Sequence, residues 1–276
     1  MPITLKTPIR RLTQAEFGDI AYEVMGVVYR LRNELGRFFV ERIYKQALAA
    51  SLPGIEVEVQ IELTWRDFTT SRFLDVLVVG GAAFEFKAVE RLTNSHRAQL
   101  LNYLLLMDLS HGKLVNLTPA RIEEEFVNTT LRHSDRVHFT IAESEYQTQH
   151  PTARFFRNSL IELLNDWGTG LELDLYLEAM THVLGGVTAV EKNVDVIWNG
   201  QVIGNQPVRL AGPDVAFHLT AMGGALDDFE LQTQCLLDHT RLRAFLWANI
   251  TRQQVTFKLL RNRARLVEDR KREAEK

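Results

Sequence analysis

The stretch FLDVLVVGGAAFEFKAVE, residues 73–90, sets two apolar runs on either side of Gly80-Gly81. Short apolar runs around a glycine pair predict two strands, Phe73 to Val79 and Ala82 to Val89, closed as a hairpin. On the second strand Glu85 and Lys87 are two residues apart and share one face, with Phe84 and Phe86 on the other. The turn decides where Asp75 falls. A three-residue loop, Val79-Gly80-Gly81, sets Asp75 opposite Glu85, whereas a two-residue loop sets it opposite Phe86. In the first case two neighbouring carboxylates repel unless a cation lies between them, and hard oxygen ligands suit Mg²⁺ or Mn²⁺. Lys87 beside them is suited to positioning a water or to offsetting charge on a phosphate under attack. In the second case the same letters spell a surface hairpin with an ordinary Glu–Lys pair.

Working outward, Thr13 and Glu16 form a T-x-x-E capping box. Phe17, Ile20, Val24, Val27, Val28 and Leu31 then follow at helical spacing until Gly36. A second helix is predicted from Phe38 to Leu52, with Val40, Ile43, Tyr44, Ala47 and Leu48 on one side and Pro53-Gly54 ending it. Residues Ile55 to Trp65 alternate apolar and polar, as a half-buried strand does. Beyond the hairpin come a helix from Ser95 to Asp108 and a strand from Gly112 to Leu117. Helix, helix, three strands, helix, strand is an α/β sandwich and not a repeating βαβ pattern. The polar stretch from Ala120 to Gln149 reads as a strand-bearing connector.

The chain has 276 residues, 46% hydrophobic and 24% charged, which suits one large domain or two modest ones. With 32 Lys+Arg against 35 Asp+Glu there is no global basic field, so a nucleic acid would need a local patch. Arg30, Arg32, Arg37, Arg42 and Lys45 around the second helix are the candidates. Cys235 stands alone, which excludes an internal disulfide and predicts a buried, inert thiol. No apolar run reaches the roughly 18 residues of a membrane span, so a cytoplasmic protein with no membrane partner is expected. Neither G-x-S-x-G nor G-x-x-x-x-G-K-[ST] occurs, which argues against a serine hydrolase or a phosphate-loop ATPase.

The pattern then begins again. Leu164-Asn165-Asp166-Trp167-Gly168 to Tyr176 overlays Arg32-Asn33-Glu34-Leu35-Gly36 to Tyr44, and Ala179, Gly186 and Trp198 overlay Ala47, Gly54 and Trp65. Further on, Asp214-Val215 is laid on Asp75-Val76, Phe229-Glu230-Leu231-Gln232 on Phe84-Glu85-Phe86-Lys87, and His239 on His96. This ordered set argues for an internal duplication with a period of about 130–145 residues. Both histidines begin apolar helices, where they could cap, support the site or act in it. The closing RNRARLVEDRKREAEK reads as a solvated helix end.

The run Gly26 to Lys45, Glu58 in a strand, then LDVLVV, FEFKAVERL, HRAQLLNYL and GKLVNL resemble the GxxExxY family of the PD-(D/E)XK nuclease superfamily, over about Glu16 to Thr118. The resemblance implies a restriction-endonuclease-like three-layer core, a mixed sheet flanked by helices, here duplicated. It implies a metal-dependent nuclease acting on DNA or RNA, with Asp75, Glu85 and Lys87 as the core acids and lysine. Glu41 would be a third acid and metal ligand with Asp75 and Glu85, holding Mg²⁺ or Mn²⁺. Tyr44, Glu58, Gln99 and Tyr103 would support the site, and Asn116 matches the asparagine of the closing strand. Phe38 replaces the family's second glycine, and Arg32 stands where histidine is common. In the second half Leu173, Gln232 and Leu242 take the places of Glu41, Lys87 and Gln99, implying a degenerate copy. The expected layout is therefore a complete domain over 1–125, a connector over 126–150, a degenerate domain over 151–262 and a charged tail over 263–276. The copy would act as a pseudo-dimer within one chain, with a homodimer as the other possibility. The alternative function is a catalytically silent nuclease-like module that binds nucleic acid or protein.

Overall fold

The computed structural model describes residues 3–146 and 150–263; most of the predicted charged tail, 264–276, and residues 147–149 of the predicted connector lie outside them. The chain divides into two units, 1–135 and 136–276.

In the first unit the elements are β1 (Ile3–Leu5), α1 (Gln14–Leu35), α2 (Glu41–Ser51), β2 (Ile55–Trp65), β3 (Phe68–Val78), β4 (Ala82–Lys87), α3 (Asn94–Met107), β5 (His111–Asn116) and β6 (Glu123–Asn128), with the single turn α4 (His133–Arg136) at the boundary. The strands form one mixed sheet in the order β1-β2-β3-β4-β5-β6. Only β4 and β5 run parallel, because α3 carries the chain back between them. Helix α1 begins at the predicted capping box, with both the Thr13 and the Glu16 side chains engaged. Its buried stripe of Phe17, Ala21, Val24, Val28 and Leu31 packs with Tyr44 and Leu48 of α2 against Val76, Val78, Phe84 and Phe86 of the sheet. At about 1.5–3 kcal/mol for each fully buried large apolar side chain, this layer is what holds the two helices on β3 and β4.

Several details differ from the sequence expectation: β3 begins at Phe68 rather than Phe73, and β4 ends at Lys87 rather than Val89. Helix α2 starts at Glu41, and its inward face is Tyr44, Lys45 and Leu48, while Phe38, Val40 and Ile43 are exposed. A lysine can take an inward position only where its charge is met, and two of the three acids that meet Lys45, Glu58 and Asp75, come from strands β2 and β3. Cys235 is exposed, since Thr233, Gln234 and Leu237 take the inward positions of its helix.

The second unit holds β7 (Thr140–Glu145), α5 (Pro151–Trp167), α6 (Leu173–Val183), α7 (Val187–Val190), β8 (Glu191–Trp198), β9 (Gln201–Gly212), β10 (Val215–Thr220), α8 (Leu226–Asp238), β11 (Ala244–Ile250) and β12 (Gln254–Arg261). Its sheet runs β8-β9-β10-β11-β12-β7. Strands β8 to β12 repeat the order and senses of β2 to β6, including the one parallel step between the third and fourth strands. The sixth strand differs, since β1 lies against β2 in one sheet and β7 against β12 in the other. Two bonds recur as well. Tyr44 donates its hydroxyl to the Gly36 carbonyl at 2.5 Å, and Tyr176 to that of Gly168 at 2.6 Å. The Val89 amide donates to Asn116 Oδ1 at 3.1 Å, and the Met222 amide to Asn249 Oδ1 at 2.7 Å.

Candidate active site

The hairpin closes with the three-residue loop. Val76 pairs with Phe84, Leu77 with Ala83 and Val78 with Ala82, which puts Asp75 level with Glu85. Val79 and Gly80 both adopt positive φ, 50° and 66°. The segment Pro8 to Leu12 crosses the turn so closely that a Cβ on Gly81 would lie 2.3 Å from the Arg10 carbonyl oxygen. Glycine is therefore required there by contact, and this contact holds the register that aligns the two acids.

Asp75 and Glu85 are buried, and Lys87 is nearly so. Asp75 Oδ2 accepts the Phe86 amide at 2.8 Å, so the carboxylate takes the place of a ladder bond between β3 and β4. Lys87 Nζ lies 2.7 Å from Glu85 Oε1, while Glu85 Oε2 is buried with no hydrogen-bond partner among the described residues. Burial, with the charge of Asp75, pushes the Glu85 carboxyl up to about 8 against the pull of Lys87. Glu41, on the first turn of α2, is also raised, first by burial and then by Asp75, with Lys45 and Lys87 opposing. Asp75, Glu85, Lys87 and Glu41 thus sit within electrostatic reach of one another.

Lys45, which the sequence reading placed in a basic patch facing a phosphate backbone, is instead buried among the acids of the site. Its ammonium lies 2.6 Å from Asp75 Oδ1 and 3.2 Å from Glu41 Oε1, and it also contacts Glu58. Burial pulls its pKa down, but the hydrogen bonds to Asp75 and Glu58 outweigh that and hold it above the ordinary lysine value. Glu58 has φ 53° and lies opposite Asp75 in the β2–β3 register, so its carboxylate meets this ammonium from the neighbouring strand. The available signal was the i,i+4 spacing of Glu41 and Lys45, which reads equally well as a surface pair.

The remaining candidates are placed around this centre. Tyr44 ties α2 to the turn after α1 through Gly36. Gln99 donates to the Tyr103 hydroxyl at 3.2 Å, so that pair forms on α3 as its spacing implied. Asn116 holds the backbone just beyond Lys87, and its amide donates to Glu123 at 3.1 Å. His96 accepts the Thr93 amide at 3.2 Å and so caps α3. Arg32 donates to the Leu117 and Pro119 carbonyls, a structural use.

Hard oxygen donors on Asp75 and Glu85, one of them buried without a partner, fit a divalent cation, and Glu41 could complete the set. Among the described residues no group of three or more His, Cys, Asp or Glu is already arranged around a metal position. The Lys45 ammonium already balances Asp75, Glu41 and Glu58.

The second-half overlay fails after Trp198. Phe229 to Gln232 lie on helix α8, not on a strand; Asp214 is in the β9–β10 turn, Leu242 follows α8, and His239 ends that helix. The strand in the place of β4 is β10. Trp198 lies 133 residues after Trp65 at the end of the corresponding strand, and Thr220 pairs with Asn249 as Lys87 pairs with Asn116, again 133 residues apart. At that offset Asp75, Glu85 and Lys87 fall on Val208, His218 and Thr220, so none of the three charges persists.

A family profile described as PD-(D/E)XK nuclease superfamily matches residues 18–129 and places a domain of that superfamily there. No curated protein matches the chain. A solved structure named "Crystal structure of SSO0001" is 23% identical, covering 44% of this chain and 54% of its own, with a TM-score of 0.25. The chain thus spans about half the length of that structure. Among the described residues, no helix is long and apolar enough to cross a membrane.

Proposed function

We propose that the chain is a metal-dependent nuclease that hydrolyses phosphodiester bonds of DNA or RNA at Asp75, Glu85 and Lys87, with Glu41 as the third acid. The observation that carries this reading is the buried pair of level carboxylates on β3 and β4, inside the matched segment, with Glu85 Oε2 unpartnered and the Lys87 ammonium 2.7 Å from Glu85 Oε1. Asp75, Glu85 and Glu41 would hold Mg²⁺ or Mn²⁺, which supplies charge neutralisation for the phosphate and a lowered pKa for a bound water. Lys87, oriented by Glu85, offsets charge on the phosphate as water attacks phosphorus and the bond to the leaving sugar oxygen breaks. Asp75 is oriented by the Phe86 amide, and Lys45 keeps the acids from repelling one another. Arg37 lies 5.3 Å from the ring centre of Phe38, which is 89% exposed three residues before Glu41 and offers a surface on which a base can stack.

The reading extends to the GxxExxY type, supported by the Tyr44–Gly36 bond, and to a second unit that is a degenerate copy, supported by the repeated strand order and the two repeated bonds. The test is purified protein with Mg²⁺ or Mn²⁺ on plasmid, linear duplex, single-stranded DNA and RNA. Asp75→Ala and Lys87→Ala should each lower the rate by about 100-fold or more. Equal cleavage by wild type and both variants would overturn the assignment.

The silent-module reading rests on one observation, that Lys45 already satisfies Asp75 and Glu41 without a metal. Calorimetric titration with Mn²⁺ separates the two, since heat of binding lost in Asp75→Ala supports the nuclease and no heat at millimolar metal supports the silent module.

A further inference from the structure

The second unit contains a cavity of about 670 Å³ over the strand positions that carry the acids in the first. Val208 and His218, which stand where Asp75 and Glu85 do, both line it. Its chemistry is the reverse of the first site. One carboxylate, Glu191, reaches the cavity, against two cations, Lys192 and Arg209. A carboxylate cluster needs a cation before a phosphate can approach, whereas this arrangement attracts the phosphate directly. Glu191 holds Arg209 only loosely, at 3.7 Å with both side chains well exposed, so the guanidinium can turn to a stronger anion.

The interior selects a ring. Phe229 stacks on His218 with centroids 5.8 Å apart and planes 16° apart, and packs on Trp247 at 4.6 Å. Burial, aided by the charge of Arg209, lowers the pKa of His218 and so favours the neutral imidazole. A neutral imidazole presents one donor and one acceptor, which the edge of a heterocyclic base can meet. A purely apolar ligand would desolvate His218, Arg209 and Lys192 without return.

We propose that this cavity binds a nucleotide, its base against Phe229 and His218 and its phosphate on Arg209 and Lys192. The shared chemistry fits a mononucleotide in solution or the terminal nucleotide of a strand. The site does not depend on the nuclease reading, because it uses no residue of the first unit and no metal.

The experiment uses the full chain in EDTA, which silences metal-dependent cleavage, and follows tryptophan fluorescence and calorimetry. The probes are AMP, adenosine, ribose 5-phosphate and a 5′-phosphorylated single-stranded oligomer. AMP should bind at least tenfold more tightly than adenosine or ribose 5-phosphate. Arg209→Ala should weaken AMP at least tenfold, and His218→Leu should weaken AMP while leaving ribose 5-phosphate unchanged. Both variants should melt as the wild type does; if either unfolds, Lys192→Ala, on an exposed position, takes its place and should weaken AMP severalfold. An oligomer bound more tightly than AMP, with the same variant sensitivity, assigns the site to strand ends; equal or weaker binding assigns it to the mononucleotide. Equal affinity for AMP and ribose 5-phosphate, insensitivity to Arg209→Ala, or no binding at 5 mM would overturn the proposal. Failure of the cleavage assay would leave this result standing, and the reverse also holds.

Discussion

Lys45 and Lys87 divide four carboxylates between them, Asp75, Glu41 and Glu58 on one side and Glu85 on the other. Removing a partner from a buried ion pair costs about 3–5 kcal/mol, because the remaining charges lose their counter-ion. Lys45→Met should therefore lower the melting temperature in EDTA by about 10 °C, and Mn²⁺ should restore more of the loss than it adds to the wild type. An equal Mn²⁺-induced rise in both proteins would show that the ammonium and the metal do not share a position. Glu85 carries the pH dependence. Its folded carboxyl is pushed up to about 8 from an ordinary 4.5, so between those values the folded chain keeps a proton that the unfolded chain has lost. The resulting stability is full below about 4.5 and is lost as pH rises through about 8. Melting in EDTA should fall across that window, and Glu85→Gln should flatten the slope. Glu41, raised in the same direction, adds to the effect with the same sign.

At the scale of elements, the β3–β4 turn sets the site because Gly81 has no room for a side chain. Gly81→Ala should cost about 1–3 kcal/mol by overpacking against Arg10 and Leu12, and should lower cleavage as Asp75 and Glu85 lose register. Gly26→Ala, in the exposed middle of α1 with open space around its Cβ, is the control and should stabilise by about 0.5–1 kcal/mol; urea melts of both measure the contrast. The strands of this unit were legible because alternation and glycine turns are local signals. Strand β2 was read to its ends, and the capping box of α1 fell on Thr13 and Glu16. The Asp75–Glu85 alignment was legible only as a choice between two loops, since the crossing segment that requires glycine comes from residues 8–12. The second-unit reading erred at Phe229-Glu230-Leu231-Gln232, where four letters resembling a strand belong to a helix. Phe229 and Thr233, four apart on α8, keep the helical period that a four-residue window hides. Lys45 was hidden for another reason. Its three acids lie at positions 41, 58 and 75, and only the folded sheet brings the last two beside it.

For the whole molecule, the two units share a strand order but not a charge pattern. Since Val208, His218 and Thr220 occupy the strand positions of Asp75, Glu85 and Lys87, the second unit should contribute no hydrolysis of its own. Asp75→Ala alone should therefore bring cleavage by the full chain to background, and Mn²⁺ titration of the wild type should saturate at one set of sites per chain. Twice that stoichiometry would place a second metal centre in 136–276.

The placement of the sixth strand has a consequence for how the chain behaves when crowded. In the first sheet β1 covers the outer side of β2, whereas in the second sheet the added strand lies at the far end and, among the described residues, β8 pairs with a strand on one side only. Its hairpin with β9 leaves Trp198, Val202 and Ile203 exposed. Backbone groups beside exposed apolar side chains are a template for another strand, and the defences among the described residues include Lys192, the irregularity at Val196/Ile197 and the Ile197 amide, which already donates to the His239 carbonyl at 2.8 Å. Self-association at high concentration should therefore begin along β8, and Val196→Lys should raise the solubility limit without changing the rate of cleavage.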